Sequence, residues 1–206
     1  MIAGSGNSSY FWLRRIHSLL GFIPLSLFIL MHFTFNSFIF AGPQAFTDFV
    51  NASQGFPLTI YLEIGFLAVP ILLHIVFGLV IMYTGAANVH EYGHYRNWMY
   101  VMQRVTGMLL VPFLAYHVWM TRMQQVFTGH HVNAEYMHHY LSPGLTKIFY
   151  IIGILSAAFH MTNGLSTMLI TWGITQNARS QYVVSMANWA LFVLISVWGI
   201  AIVYAF

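Results

Sequence analysis

The stretch Ile71-Leu72-Leu73-His74-Ile75-Val76-Phe77-Gly78-Leu79-Val80-Ile81-Met82 sets one imidazole in the middle of an uncharged apolar run. A second such stretch, Ile154-Leu155-Ser156-Ala157-Ala158-Phe159-His160-Met161-Thr162-Asn163-Gly164, does the same with His160. His32 and His117 lie inside two further apolar runs, and the spacing repeats: 32 to 74 is 42, and 117 to 160 is 43. The chain therefore reads as two copies of one unit, each with two helices and one buried imidazole per helix. Ionisable groups in lipid are costly and mark function. Four in matched pairs point to bis-imidazole haem, whose iron takes axial histidines.

Composition sets the solvent. The chain of 206 residues is 59% hydrophobic and only 5% charged, far below the roughly 25% charge of soluble domains. The reading is an all-α integral membrane protein forming a single domain over 1–206. A span needs about 20 apolar residues, and five are expected, over about 16–40, 58–85, 99–125, 145–173 and 183–206, with Gly42-Pro43, Gly93 and Ser142-Pro143 marking breaks. Pro24, Pro70 and Pro112 fall inside the first three, where neighbours must satisfy the freed carbonyls. Residues 1–9 are polar and carry no basic n-region, so the first helix is expected to be retained. The chain has no cysteine, which removes disulfides, iron–sulfur ligation and C-x-x-C-H haem attachment. Its net charge of +3 is small and scattered, giving no reason to expect nucleic acid.

Basic residues orient the bundle. Arg14, Arg15, Arg96, Arg104 and Arg179 fall on one side and Arg122 and Lys147 on the other. The positive-inside rule then puts the N-terminus in the cytoplasm. With a rise of about 1.5 Å per residue, His32 and His117 both lie roughly 20 Å from the cytoplasmic face, and His74 and His160 roughly 10 Å from it. Each depth-matched pair would clamp one haem between helices, four of the five helices forming a dihaem bundle. Gly78 and Gly164 follow His74 and His160 by four positions, while Gly21 and Gly107 precede His32 and His117 by eleven and ten. These glycines are expected to give a flat macrocycle room beside the backbone.

The remaining polar residues read as follows. His17 has no depth-matched partner. With Ser18, Gln103 and Arg104 it stands near the inner haem, where propionates need cations or hydrogen bonds; Arg14 and Arg15 equally serve as topology anchors. His90 and His94 suit solvent or subunit contacts, and His130, His131, His138 and His139 a solvated loop. Trp12, Trp98, Trp119 and Trp172 read as an interfacial belt. Glu63, at an outer helix end, is the acidic candidate for proton delivery, with a helix-start cap as its plainer role. A His-lined proton path would want more intramembrane carboxylates than this, and a haem-free transporter or anchor would use the histidines for helix packing alone.

Several motifs, taken together, carry a resemblance. Arg14-Arg15-Ile16-His17-Ser18-Leu19-Leu20-Gly21 leads to His32, and Arg96-Asn97-Trp98-Met99 with Gln103-Arg104-Val105-Thr106-Gly107 leads to His117. Phe159-His160-Met161-Thr162-Asn163-Gly164-Leu165 and Thr171-Trp172-Gly173-Ile174-Thr175 complete the set. The chain resembles, almost end to end, the dihaem cytochrome b membrane anchors of succinate:menaquinone oxidoreductases, the single-anchor type of Bacillus and relatives.

That resemblance implies two haem b groups, with His32 and His117 on the distal one and His74 and His160 on the proximal one. It implies a flavoprotein with FAD and an iron–sulfur subunit on the cytoplasmic face of a bacterial membrane, within a complex free to form a higher oligomer. Electrons would pass from the clusters through proximal and then distal haem to menaquinone. Dihaem fumarate reductases run that path backwards and can carry an acidic residue two positions before the ligand on the fourth helix; here that position is Ala158, which leans towards succinate oxidation. The dihaem b subunit of a hydrogenase or formate dehydrogenase is the alternative with a different partner.

Overall fold

The computed structural model describes residues 8–129 and 131–206, and every regular element among them is helical. We number seven: α1 (Ser8–Ala41), α2 (Pro43–Gly55), α3 (Thr59–Thr84), α4 (95–128), α5 (Ala134–Leu141), α6 (Gly144–Thr171) and α7 (Ala178–Ala205). Residues 1–7 and His130 lie outside the described residues. Four helices, α1, α3, α6 and α7, are long and apolar enough to cross a membrane. The fifth rod, α4, includes an unbroken 24-residue α-helix, Tyr95–Val118, roughly 36 Å long at 1.5 Å per residue. Its Arg96, Gln103, Arg104 and Arg122 dilute its apolar character. The segments 43–55 and 134–141, expected as loops, are helical caps instead.

Local chemistry accounts for the ends and irregularities. Gly42, at φ 114°, turns the chain sharply out of α1, and Pro43 opens α2, as its fixed φ favours at the first helical position. A capping box at Asn177 and Ser180 starts α7. α1 widens into a π-turn over Gly21–Ser26 around Pro24, and α3 over Glu63–Ala68 just before Pro70. Proline lacks an N–H and crowds the preceding turn, so a wider turn relieves both problems. In α1 the Ser26 hydroxyl also donates to the Gly21 carbonyl at 2.9 Å.

Packing divides the helices into two antiparallel pairs, α1 with α3 and α4 with α6. Contacts between α3 and α4 are sparse, whereas α7 lies along α6 and meets α1 near its end. The buried core gathers at the end opposite the N-terminus, where Ile39, Phe46, Phe113, Met137, Leu141, Tyr150 and Phe206 come together. At that end the Phe46 ring stands edge-on to Phe206 at 4.9 Å. Elsewhere large apolar side chains such as Leu72 and Leu194 face outward, as a lipid solvent permits.

Gly199 of α7 sets a close helix approach: a Cβ there would lie 2.7 Å from Ile154 Cγ2 and 2.7 Å from Phe33 Cε2. Gly199→Ala is therefore expected to cost ~1–3 kcal/mol through overpacking. Gly144→Ala, whose new Cβ meets nothing within 4 Å, should leave the melting temperature of the detergent-purified protein nearly unchanged. Equal melting of the two variants would contradict this packing.

Candidate functional site

A cavity of about 1160 Å³ runs between the two helix pairs, lined by His17, His32, His74, His117 and His160. Single small-molecule pockets run to about 300–1,000 Å³, so this space exceeds the usual range. Arg14, Arg15, Ser18 and Arg104 line its arginine-rich end, and Met137, Tyr150 and Phe206 its opposite end.

Across this cavity the imidazoles meet in two pairs, each joining one helix from each half of the chain. His32 of α1 and His117 of α4 have ring centres 5.8 Å apart and planes at 87°. His74 of α3 and His160 of α6 stand 6.1 Å apart at 82°. Two imidazoles on opposite sides of one iron have ring centres roughly 6 Å apart, given metal–nitrogen bonds of about 2 Å. Both pairs fit that separation. His17 and His74 do not, because their rings stack at 3.9 Å and 13° with no room for a metal between them.

Hydrogen bonds orient three of these four imidazoles. His74 Nδ1 lies 3.0 Å from the His17 carbonyl, and His160 Nδ1 lies 3.1 Å from the Gln103 carbonyl. A carbonyl only accepts, so each Nδ1 carries the proton and Nε2 is left as the metal-binding nitrogen. His117 Nδ1 lies 3.0 Å from the Tyr150 hydroxyl, which donates onward to Tyr140 at 3.5 Å. Burial, with the bond to Tyr150, raises the Tyr140 phenol well above its usual range, so that end of the chain of hydroxyls stays protonated. His32 packs on Phe28, with rings 5.3 Å apart.

The glycines have a role beyond the one expected of them. A Cβ on Gly21 would lie 2.7 Å from His74 Cε1, and one on Gly107 3.0 Å from His160 Cε1. Gly78 likewise faces His17 at 3.1 Å and Gly164 faces Gln103 at 3.2 Å. Each glycine seats a side chain from the paired helix, and all four also line the cavity. Single-helix periodicity cannot show which partner fills such a gap.

The candidates for anionic groups cluster at the arginine-rich end. Ser18 accepts from Trp172 Nε1 at 3.1 Å, and the Arg104 guanidinium lies over the Tyr100 ring at 3.4 Å. His17 Nδ1 and Gln103 Nε2 are turned to the carbonyls of His74 and His160, at 3.1 and 2.9 Å.

At the opposite end Glu63 makes no cap. It forms an ion pair with Arg122 at 2.7 Å, and Arg122 also donates to Gln125, which pairs with Gln54. Tyr150 and the Arg122 cluster carry no signal in the sequence, because their partners lie on other helices. Among the described residues, no group of three or more metal-binding side chains forms around His131, His138 and His139.

Residues 86–197 match the family model described as succinate dehydrogenase/fumarate reductase transmembrane subunit. The chain belongs to this family. It is also 39% identical over 202 residues to the succinate dehydrogenase cytochrome b558 subunit of Bacillus subtilis (strain 168), an alignment covering 98% of this chain and 99% of that one. The full-length match means that the relative spans both halves of this transmembrane subunit, including α1 and α3, which lie outside the family-model match.

The seats of the two imidazoles are tight enough to test. Gly21→Ala and Gly107→Ala should each lower stability by ~1–3 kcal/mol, read as a lower melting temperature. The effect should be larger at Gly21, where the contact is closer. Unchanged melting for both would show that His74 and His160 do not rest on these backbones.

Proposed function

We propose that this chain is the membrane anchor and dihaem cytochrome b subunit of a succinate:menaquinone oxidoreductase. One observation carries the reading: two imidazole pairs, 5.8 and 6.1 Å apart, face each other across one cavity. Two bound haem b groups would supply a one-electron relay between an iron–sulfur partner and menaquinone. His74 and His160 would hold the proximal iron and His32 and His117 the distal iron through Nε2. Arg104, with Ser18, His17 and Gln103 nearby, would receive propionates at the arginine-rich end, where charge-assisted bonds are strongest.

The rest of the reading follows from charge and composition. All five long helices would span a bacterial cytoplasmic membrane, with the arginine-rich end and N-terminus in the cytoplasm. The flavoprotein with FAD and the iron–sulfur subunit would dock on that face. The chain has no cysteine, so the clusters would belong to the partner. Menaquinone would react at the opposite end and take its protons from outside, so that turnover dissipates membrane potential. Glu63 is the proton-delivery candidate, its carboxylate positioned by Arg122. Ala158, 1% exposed, leaves this position without an acidic side chain, which accords with succinate oxidation.

A redox spectrum of the purified complex tests the reading. Two b-type haems per chain, reduced by succinate, are expected; none would overturn it. His32→Ala and His117→Ala should each remove one and the same haem, and His74→Ala and His160→Ala the other. Glu63→Gln should lower menaquinone reduction while leaving both haems in place, and unchanged turnover would exclude Glu63 from proton delivery.

A further inference from the structure

Four positions recur at one interval of 86: His17 and Gln103, Gly21 and Gly107, His74 and His160, Gly78 and Gly164. The structure gives them equivalent roles. In the first half, His17 Nδ1 reaches the His74 carbonyl at 3.1 Å while His74 Nδ1 reaches the His17 carbonyl at 3.0 Å. In the second half, Gln103 Nε2 donates to the His160 carbonyl at 2.9 Å while His160 Nδ1 reaches the Gln103 carbonyl at 3.1 Å. Each antiparallel helix pair is thus closed by one reciprocal exchange, and each exchanging side chain sits over a glycine of the other helix.

The two halves differ in one respect. Gln103 also accepts from Asn163 Nδ2 at 2.7 Å, and Thr106 Oγ1 lies 3.4 Å from His160 Nδ1. At the equivalent positions the first half has Phe77 and Leu20, which offer no hydrogen bond. An amide at 17 would leave its oxygen without the donor that Asn163 supplies, and a buried oxygen without a donor is costly. The imidazole at 17 meets the His74 carbonyl through Nδ1, and its face stacks on His74 at 3.9 Å.

From this the geometry points to His17 as the positioning residue of His74, doing for that imidazole what Gln103 does for His160. His17 binds no iron in this arrangement. It fixes the height and rotation of the α3 imidazole against the cavity and ties α1 to α3. The inference rests on the reading of His74 and His160 as axial ligands, and it assigns His17 a role separate from any propionate contact.

The experiment uses the whole complex and reads the low-spin ferric EPR signals, whose anisotropy follows the angle between the two axial imidazole planes, together with haem content. His17→Ala should shift or abolish one of the two signals, the same one that His74→Ala removes, and leave the other as in the unmodified protein. His17→Gln combined with Phe77→Asn rebuilds the second half's arrangement in the first and should restore that signal. If His17→Ala leaves both signals unmoved, the inference falls. It falls equally if the double variant loses the signal as His17→Ala does, since position 17 would then need its imidazole for another purpose. Should His17→Ala fail to assemble, the double variant decides alone. An unmodified complex without haem would instead remove the reading of the site itself.

Discussion

The structure depends on one constraint: two imidazoles buried in apolar helices give their Nδ1 protons to backbone carbonyls of a neighbouring helix. A helix carbonyl that accepts from its own next turn keeps a second lone pair, and a ring on a neighbouring helix can use it. His74 and His160 find it in the carbonyls of His17 and Gln103. Those contacts require the antiparallel helices to approach closely, which is why Gly21 and Gly107 stand where they do. Pairing of α1 with α3 and of α4 with α6 then follows, and the cavity is the space left between the pairs.

The same constraint shapes the chemistry the site can support. A protonated Nδ1 leaves Nε2 as the nitrogen for a metal, and the bond to a carbonyl holds the ring plane against rotation. His117 reaches the same end by another route, through the Tyr150 hydroxyl. The two imidazole pairs therefore differ in the groups behind them. Two carbonyls back the pair nearer the arginine-rich end, while a phenol and the Phe28 ring back the other. Such differences in hydrogen bonding and burial are among the levers by which proteins separate otherwise identical haems.

Much of this was legible along the chain. The four histidines in separate apolar runs, their repeat spacing and their matched depths pointed to the same two pairs that the structure brings within about 6 Å. The glycines line the cavity as expected, but that each also seats a side chain of the paired helix went unread, because a gap on one helix does not reveal which neighbour enters it. His17 looked unpartnered for a related reason: its partner is a backbone carbonyl on α3, which leaves no trace in side-chain spacing. Glu63 as a cap was a local inference, overridden by Arg122 approaching from α4.

Helix type, apolar character and the positions of buried imidazoles follow from the residues in order, because hydropathy and helical rise act along a single segment. Which imidazole faces which, which glycine receives which ring, and which hydroxyl backs His117 were settled only in three dimensions. Those are contacts between helices, and their energies depend on approach distances of a few tenths of an ångström that no one-dimensional pattern records.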